Sequence, residues 1–352
     1  MLSKYRLLLN YINPILNKTV FNTWDLLKIM IPVIILIKVL QEFSLVQYLA
    51  YPFSPIMSFL GLPAEYAFAW VGALLNTNYA AFSIVITLFS ENPITYEQIS
   101  VLAIVCLTCH SIIVESIIAK KSGVNPFWSA FIRFISAIIL GFLFHKFCQY
   151  FNVFQSIVSN EILFVHSQKA VVYNFIDYYK LGTFEQNINI WLLEIYSWFL
   201  EQVKTFVIIF AVIFGVFLLL KILEDLKILK FINYTFLPVC KLLKISKSNS
   251  FLTLAACLIG MSYGWGLFKE ATKNNRFFVK QQAFSVITFI SIFHAVVEES
   301  ILFMLLGASF WAVFVVRLAY TILLLWGLNK FLLPRLSLKT KYKYFYVKVK
   351  HK

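Results

Sequence analysis

HSIIVES, residues 110–116, returns about 183 residues further on as HAVVEES, residues 294–300. It does not return alone. YPFSP at 51–55 recurs as YTFLP at 234–238, and FWSAF at 127–131 recurs as FWAVF at 310–314, in the same order. Three matches in register over roughly eighty residues mark a duplicated unit, the kind of internal repeat that has to be found before any other reading is made. One copy occupies residues 24–148 and the other 200–332. Residues 1–23 are expected to form an N-terminal interfacial segment, 149–199 an external linker with an amphipathic stretch, and 333–352 a basic tail.

The repeated units sit in a chain made for lipid. Of 352 residues, 61% are hydrophobic and 13% charged, and the mean hydropathy is +0.80, which excludes an ordinary water-exposed surface. Apolar stretches at 29–46, 99–119, 127–147, 206–220 and 285–306 approach or exceed the roughly 20 residues that a spanning helix needs. Helix is the expected spanning element, because every backbone polar group in hydrocarbon must be satisfied internally. The net charge of +15 is read as a membrane signal and not as a nucleic-acid footprint: lysines crowd the ends of apolar segments, as cytoplasmic loops collect Lys and Arg. The tail LSLKTKYKYFYVKVKHK, 336–352, is suited to anionic lipid. Cys106, Cys109, Cys148, Cys240 and Cys257 lie in or beside apolar segments, so reduced thiols are expected. The C-x-x-C of Cys106 and Cys109 is expected inside a helix, away from any strand-led redox context.

Each copy reads as a spanning helix, a short Pro-containing interfacial segment, a broken apolar segment, and two more spanning helices. In the first copy the break is LNTNY, 75–79; in the second it is GMSYGWG, 260–266. Gly costs about 1 kcal/mol against Ala in a helix and Asn favours turns, so the helix is expected to open there. If each broken segment turns back as a re-entrant hairpin, positive charge sorts cleanly. Lys4, Arg6, Lys18, Lys120 and Lys121 fall inside, and the Lys/Arg-free stretches 41–66 and 91–98 fall outside. The second copy then enters upside down, and its equivalent loops, with Lys221 to Lys247 and Lys269 to Lys280, face the cytoplasm. The expectation is an all-α polytopic protein of two inverted repeats, each with three spanning helices and one hairpin, with both termini cytoplasmic.

Freed backbone groups at a helix break must line a polar cavity or bind a ligand. Asn76, Thr77, Asn78, Tyr79, Ser262, Tyr263 and Gly264 are therefore the candidate solute-binding residues; helix kinks satisfied by neighbouring side chains are the structural alternative. His110 and His294 stand about eleven residues from the ends of their helices, near mid-membrane at 1.5 Å per residue. Ionisable groups at that depth are expensive and face a bundle interior, a water cavity or a proton relay. His110, Glu115, His294, Glu298 and Glu299 are the candidate site for a coupling proton or sodium ion or, since imidazole and carboxylate suit iron and zinc, for a divalent metal. Arg133 and Arg317, at matching positions in the last helix of each copy, are candidate partners for Glu115 and Glu299 or for an anionic solute group. There is no H-E-x-x-H, so no hydrolase is expected.

With the duplicated unit and with HSIIVES and HAVVEES following Gly- or Asn-containing breaks, the sequence resembles the nucleoside recognition, or Gate, domain membrane proteins. That group also includes spore maturation membrane proteins, concentrative nucleoside transporters and the membrane part of the ferrous iron transporter B. The resemblance implies gated transport in a bacterial or archaeal inner membrane. The GTP-binding motif of the iron transporter is missing here. Three functions follow as expectations: a cation-coupled secondary transporter of a small polar, nucleoside-like or other, solute; a divalent-metal permease; or a non-transporting membrane scaffold. The partners expected are the bilayer and a small-molecule or ion substrate, with no nucleic acid; a homo-oligomer stays open.

Overall fold

The computed structural model describes residues 2–43, 45–75, 77–89, 93–159, 184–260, 280–335 and 345–346. Regular structure within them is helical, and the only β pairing among the described residues is two isolated bridges, Thr95 with Ile157 and Val124 with Tyr346. In chain order the helices are α1 Leu2–Glu42, α2 Leu45–Ala50, α3 Ser54–Phe59, α4 Ala67–Leu75, α5 Asn78–Phe89, α6 Tyr96–Thr108, α7 Ile112–Lys121 and α8 Pro126–Phe151. The second half follows with α9 Phe184–Asp225, α10 Ile228–Leu242, α11 Lys247–Ile259, α12 Lys280–Ile292, α13 Glu298–Leu305 and α14 Trp311–Arg335, the last with π-helical turns.

Four segments are long and apolar enough to cross a membrane: Tyr96–Lys121, Pro126–Phe151, Trp191–Leu223 and Trp311–Arg335. A fifth candidate is the pair Tyr48–Phe59 and Ala64–Leu75, bent by 100°. The all-helical, polytopic membrane reading holds. Six uninterrupted spans do not appear among the described residues: 99–119 and 285–306 are each broken, between α6 and α7 and between α12 and α13, and 29–46 belongs largely to α1, whose second half carries Asp25, Lys28, Lys38 and Glu42.

The duplication extends through the helix ends. α6 and α12 begin and end 184 residues apart (96 to 280, 108 to 292), and α1 and α9 end 183 apart (42 to 225). Left-handed backbone recurs in step as well: Ser111 has φ 45° and Ala295 φ 48°, Gly123 φ 86° and Gly307 φ 95°, Gly61 φ 71° and Lys244 φ 57°. α6 is centrally placed. It starts in a capping box, with Gln98 N donating to Thr95 Oγ1 at 3.1 Å and Thr95 N to Gln98 Oε1 at 3.0 Å. Ile99 and every residue from Val101 to Leu107 are fully buried. α4 and α5 fold back on each other about residues 76–77. Gly72 lies against Ile84 and Ala80, so close that a Cβ on Gly72 would stand 2.7 Å from Ile84 Cδ1.

Contacts between the copies join opposite ends. Ser309, beyond the C-terminus of α13, donates its backbone N–H to Ser100 Oγ near the start of α6 at 2.9 Å. Phe284, near the start of α12, meets Trp128, beyond the C-terminus of α7, with ring centroids 6.1 Å apart. Between these ends, residues meet their own equivalents: His110 meets His294 (110 + 184), and Tyr320 OH donates to Ser136 Oγ (136 + 184) at 3.0 Å. Self-pairing of this kind is what a two-fold relation between matching units produces.

Gly61 shows how tightly one end is closed. A Cβ there would fall within the imidazole ring of His145, whose Nδ1 is 2.5 Å from Glu97 Oε1. Gly61→Ala is expected to destabilise the fold by about 1–3 kcal/mol for the overlap, with a further cost of about 1 kcal/mol or more from φ +71°. A lowered midpoint of thermal unfolding in detergent checks this; an unchanged midpoint would mean that the ring moves aside without cost.

Candidate functional site

The site begins with two helix breaks that carry neither Gly nor Pro. α6 stops at Thr108; Cys109 and His110 leave the helical path, Ser111 turns left-handed, and α7 starts at Ile112. In the second copy α12 stops at Ile292, Ala295 is left-handed, and α13 starts at Glu298. His110 and His294 are therefore at breaks and not within continuous helices, and Cys109 is a helix C-cap and not an internal residue of one. Four carbonyls of the last turn of an α-helix lack intrahelical partners, and in lipid they need other donors.

Two arginines, each 0% exposed, supply those donors. Arg133, on α8, donates from Nε to Thr108 O at 3.1 Å and from an Nη to His110 O at 2.6 Å. Arg317, on α14, donates to Ile292 O at 3.0 Å, the carbonyl equivalent to Thr108 O. It also reaches Leu107 O of the first copy at 3.1 Å and Val313 O at 3.2 Å. Arg133 pairs with Glu115 at 3.0 Å, one of the two roles considered for it from the sequence. Arg317 departs from that expectation: its hydrogen bonds go to carbonyls, and no salt bridge joins it to Glu299 among the described residues. Backbone donors at the breaks are satisfied by the preceding hairpin helices, Ser111 N by Ala73 O and Val296 N by Cys257 O, both at 2.9 Å.

The breaks bring the ionisable residues together. His110 Nε2 and His294 Nε2 are 3.2 Å apart. Glu115 Oε1 is 3.2 Å from His110 Nε2 and 3.1 Å from His294 Nε2. Glu299 Oε1 is 3.4 Å from His110 Nε2. The first hairpin contributes from the side: Asn78 Nδ2 donates to Glu299 Oε2 at 2.8 Å and lies 3.0 Å from His110 Nδ1, which is also 3.3 Å from Cys106 O. Tyr79 OH donates to Glu298 Oε1. Asn78 and Tyr79 of one copy thus bind the adjacent glutamates of the other. Thr77 lies beside them, its hydroxyl buried. Asn76, Ser262, Tyr263 and Gly264 lie outside the described residues.

Electrostatically the site is unusual for its depth. His110 and His294 are 3% and 2% exposed and Glu115 is 4% exposed. Three carboxylates (Glu115, Glu298, Glu299) share the site with two guanidinium groups (Arg133, Arg317) and two imidazoles. Charges at this depth are costly unless they are paired and hydrogen-bonded. Sequence reasoning found the residues and missed the breaks that orient them. The signal was present only as the arginine 23 residues beyond each histidine (110 to 133, 294 to 317), whose guanidinium needs carbonyls to bind.

Residues 23–124 match the family model described as Gate, nucleoside recognition. That region runs from within α1 to just past the left-handed Gly123, and the resemblance drawn from the sequence is borne out there. The chain is also 24% identical to the uncharacterized membrane protein YvoD of Bacillus subtilis strain 168, over 307 residues covering 86% of this chain and 88% of the relative. No solved structure matches it.

Proposed function

We propose that this chain is a membrane transport protein in which two inverted copies enclose a midplane site for a cation and a small polar solute. It acts by moving solute, not by catalysis. The observation that carries the reading is the meeting of both helix breaks at His110 and His294, with the tip residues Asn78 and Tyr79 crossing from one copy to the glutamates of the other. Interrupted helices from inverted repeats, converging near mid-membrane on ionisable groups, are the plan of many secondary transporters. His110, Glu115, His294, Glu298 and Glu299 hold the coupling cation. Thr77, Asn78 and Tyr79 bind the solute, and Asn76, Ser262, Tyr263 and Gly264, outside the described residues, complete the solute-binding set of the proposal. Alternating access comes from one copy rocking against the other.

Inversion is supported by the end-to-opposite-end contacts of Ser100 with Ser309 and of Trp128 with Phe284, and by the lysine distribution, which fits a cytoplasmic location for both termini in an inner membrane. Single cysteines at Glu91 and Lys273, in a background without the five native thiols, test it. Impermeant maleimide applied to intact cells is expected to label the first and spare the second. Labelling of both from one side of the membrane would remove the inversion and the transport mechanism built on it.

A further inference from the structure

We infer that His110, His294, Glu115 and Glu299 form a tetrahedral site for one divalent transition-metal ion of the zinc or ferrous class. The inference rests on the reading of this cluster as the transporter's cation site and names the ion.

The argument is geometric. With metal–nitrogen and metal–oxygen bonds of about 2.0–2.1 Å, the ligand atoms of a tetrahedral site stand about 3.3–3.4 Å apart. Here His110 Nε2, His294 Nε2 and Glu115 Oε1 form a triangle with sides of 3.2, 3.2 and 3.1 Å, and Glu299 Oε1 is 3.4 Å from His110 Nε2. His110, His294 and Glu299 offer ligand atoms within 4.8 Å of one another, so Glu299 would swing by more than about 1 Å toward His294 to complete a tetrahedron on the His110, His294 and Glu115 triangle. A proton needs one donor and one acceptor, whereas here two imidazole nitrogens and a carboxylate oxygen lie within 3.2 Å of one another, with a second carboxylate oxygen 3.4 Å from one of them.

Donor chemistry narrows the ion. Calcium takes six to eight oxygen ligands and magnesium an octahedron of oxygens; two nitrogens and two oxygens suit neither. Imidazole with carboxylate suits zinc and iron. Two of the ligands are also held from behind, as metal ligands usually are. Arg133 fixes the second oxygen of Glu115 and Asn78 that of Glu299, while Nδ1 of His110 has both Asn78 Nδ2 and Cys106 O within 3.3 Å.

The test uses the purified full-length chain in detergent, stripped with a chelator. Titration with Co2+ is expected to give the intense visible bands of tetrahedral cobalt, saturating at one equivalent and lost on adding Zn2+. Loss of an outer-shell partner typically lowers metal affinity 10–100-fold, so His294→Ala and Glu299→Gln are each expected to weaken Zn2+ binding by more than about 100-fold. Far-ultraviolet circular dichroism and a monodisperse elution profile check folding, and if a variant fails them the wild-type titration alone decides. Absence of tetrahedral cobalt bands in the wild type, or equal Zn2+ affinity in folded variants, overturns the inference. Vesicle assays separate it from the transport reading. One-equivalent Zn2+ binding without flux of Zn2+ or of a nucleoside panel leaves the metal site and removes transport. Gradient-driven nucleoside flux without Zn2+ or Co2+ binding does the reverse.

Discussion

Arg133→Leu is expected to cost about 3–5 kcal/mol, the range for removing one partner of a buried charge pair and leaving the other unpaired. The guanidinium is fully buried and binds the Glu115 carboxylate and two carbonyls of the broken helix, Thr108 O and His110 O. Leucine fills part of the volume and satisfies none of those acceptors. Many domains are stable by only about 5–15 kcal/mol, so the variant is expected to unfold far below the wild type when heated in detergent, or to aggregate on expression. Arg133→Lys is expected to fall between the two: an ammonium keeps the charge but lacks the planar fork that reaches two carbonyls and a carboxylate at once. If Arg133→Leu melts at the wild-type temperature, the breaks are held by something other than this side chain.

His294→Ala is the sharper test of function. It removes a ring that touches His110 and Glu115 from the opposite copy, without exposing a charge to lipid. Uptake of a labelled nucleoside panel into reconstituted vesicles, under an imposed pH or sodium gradient, is expected to fall more than about tenfold, equivalent to a loss of about 1.4 kcal/mol or more. Folding is expected to persist, as judged by circular dichroism and elution. Unchanged flux would remove the cluster from the mechanism, and a wild type that moves no solute at all would favour a membrane scaffold.

Much of this architecture is written in local sequence. The hydropathy of 99–119 and 127–147 gave the two long apolar segments Tyr96–Lys121 and Pro126–Phe151, and the paired HSIIVES and HAVVEES motifs marked the residues that meet. Asn78 was legible as a helix opener because its amide competes with the backbone for hydrogen bonds. The second pair of breaks was not legible. The residues that turn left-handed there, Ser111 and Ala295, do not favour that backbone, and nothing in Cys-His-Ser or Phe-His-Ala forbids a continuing helix. What opens them is tertiary: arginines 23 residues away that bind the freed carbonyls. The same long-range cause explains why His110 and Glu115, five residues apart and pointing about 140° from each other on an ideal helix, come within 3.2 Å once the turn at Ser111 intervenes.

Arg317 has one foot in each half of the molecule. It holds Ile292 O of its own copy and Leu107 O of the other, whereas Arg133 holds only its own, at Thr108 O and His110 O. If the two copies are inverted and trade places, as the proposed transport requires, the mirror conformer would have Arg133 at Ser291 O and Arg317 withdrawn to His294 O. Such an exchange of guanidinium grips would need no melting of helices.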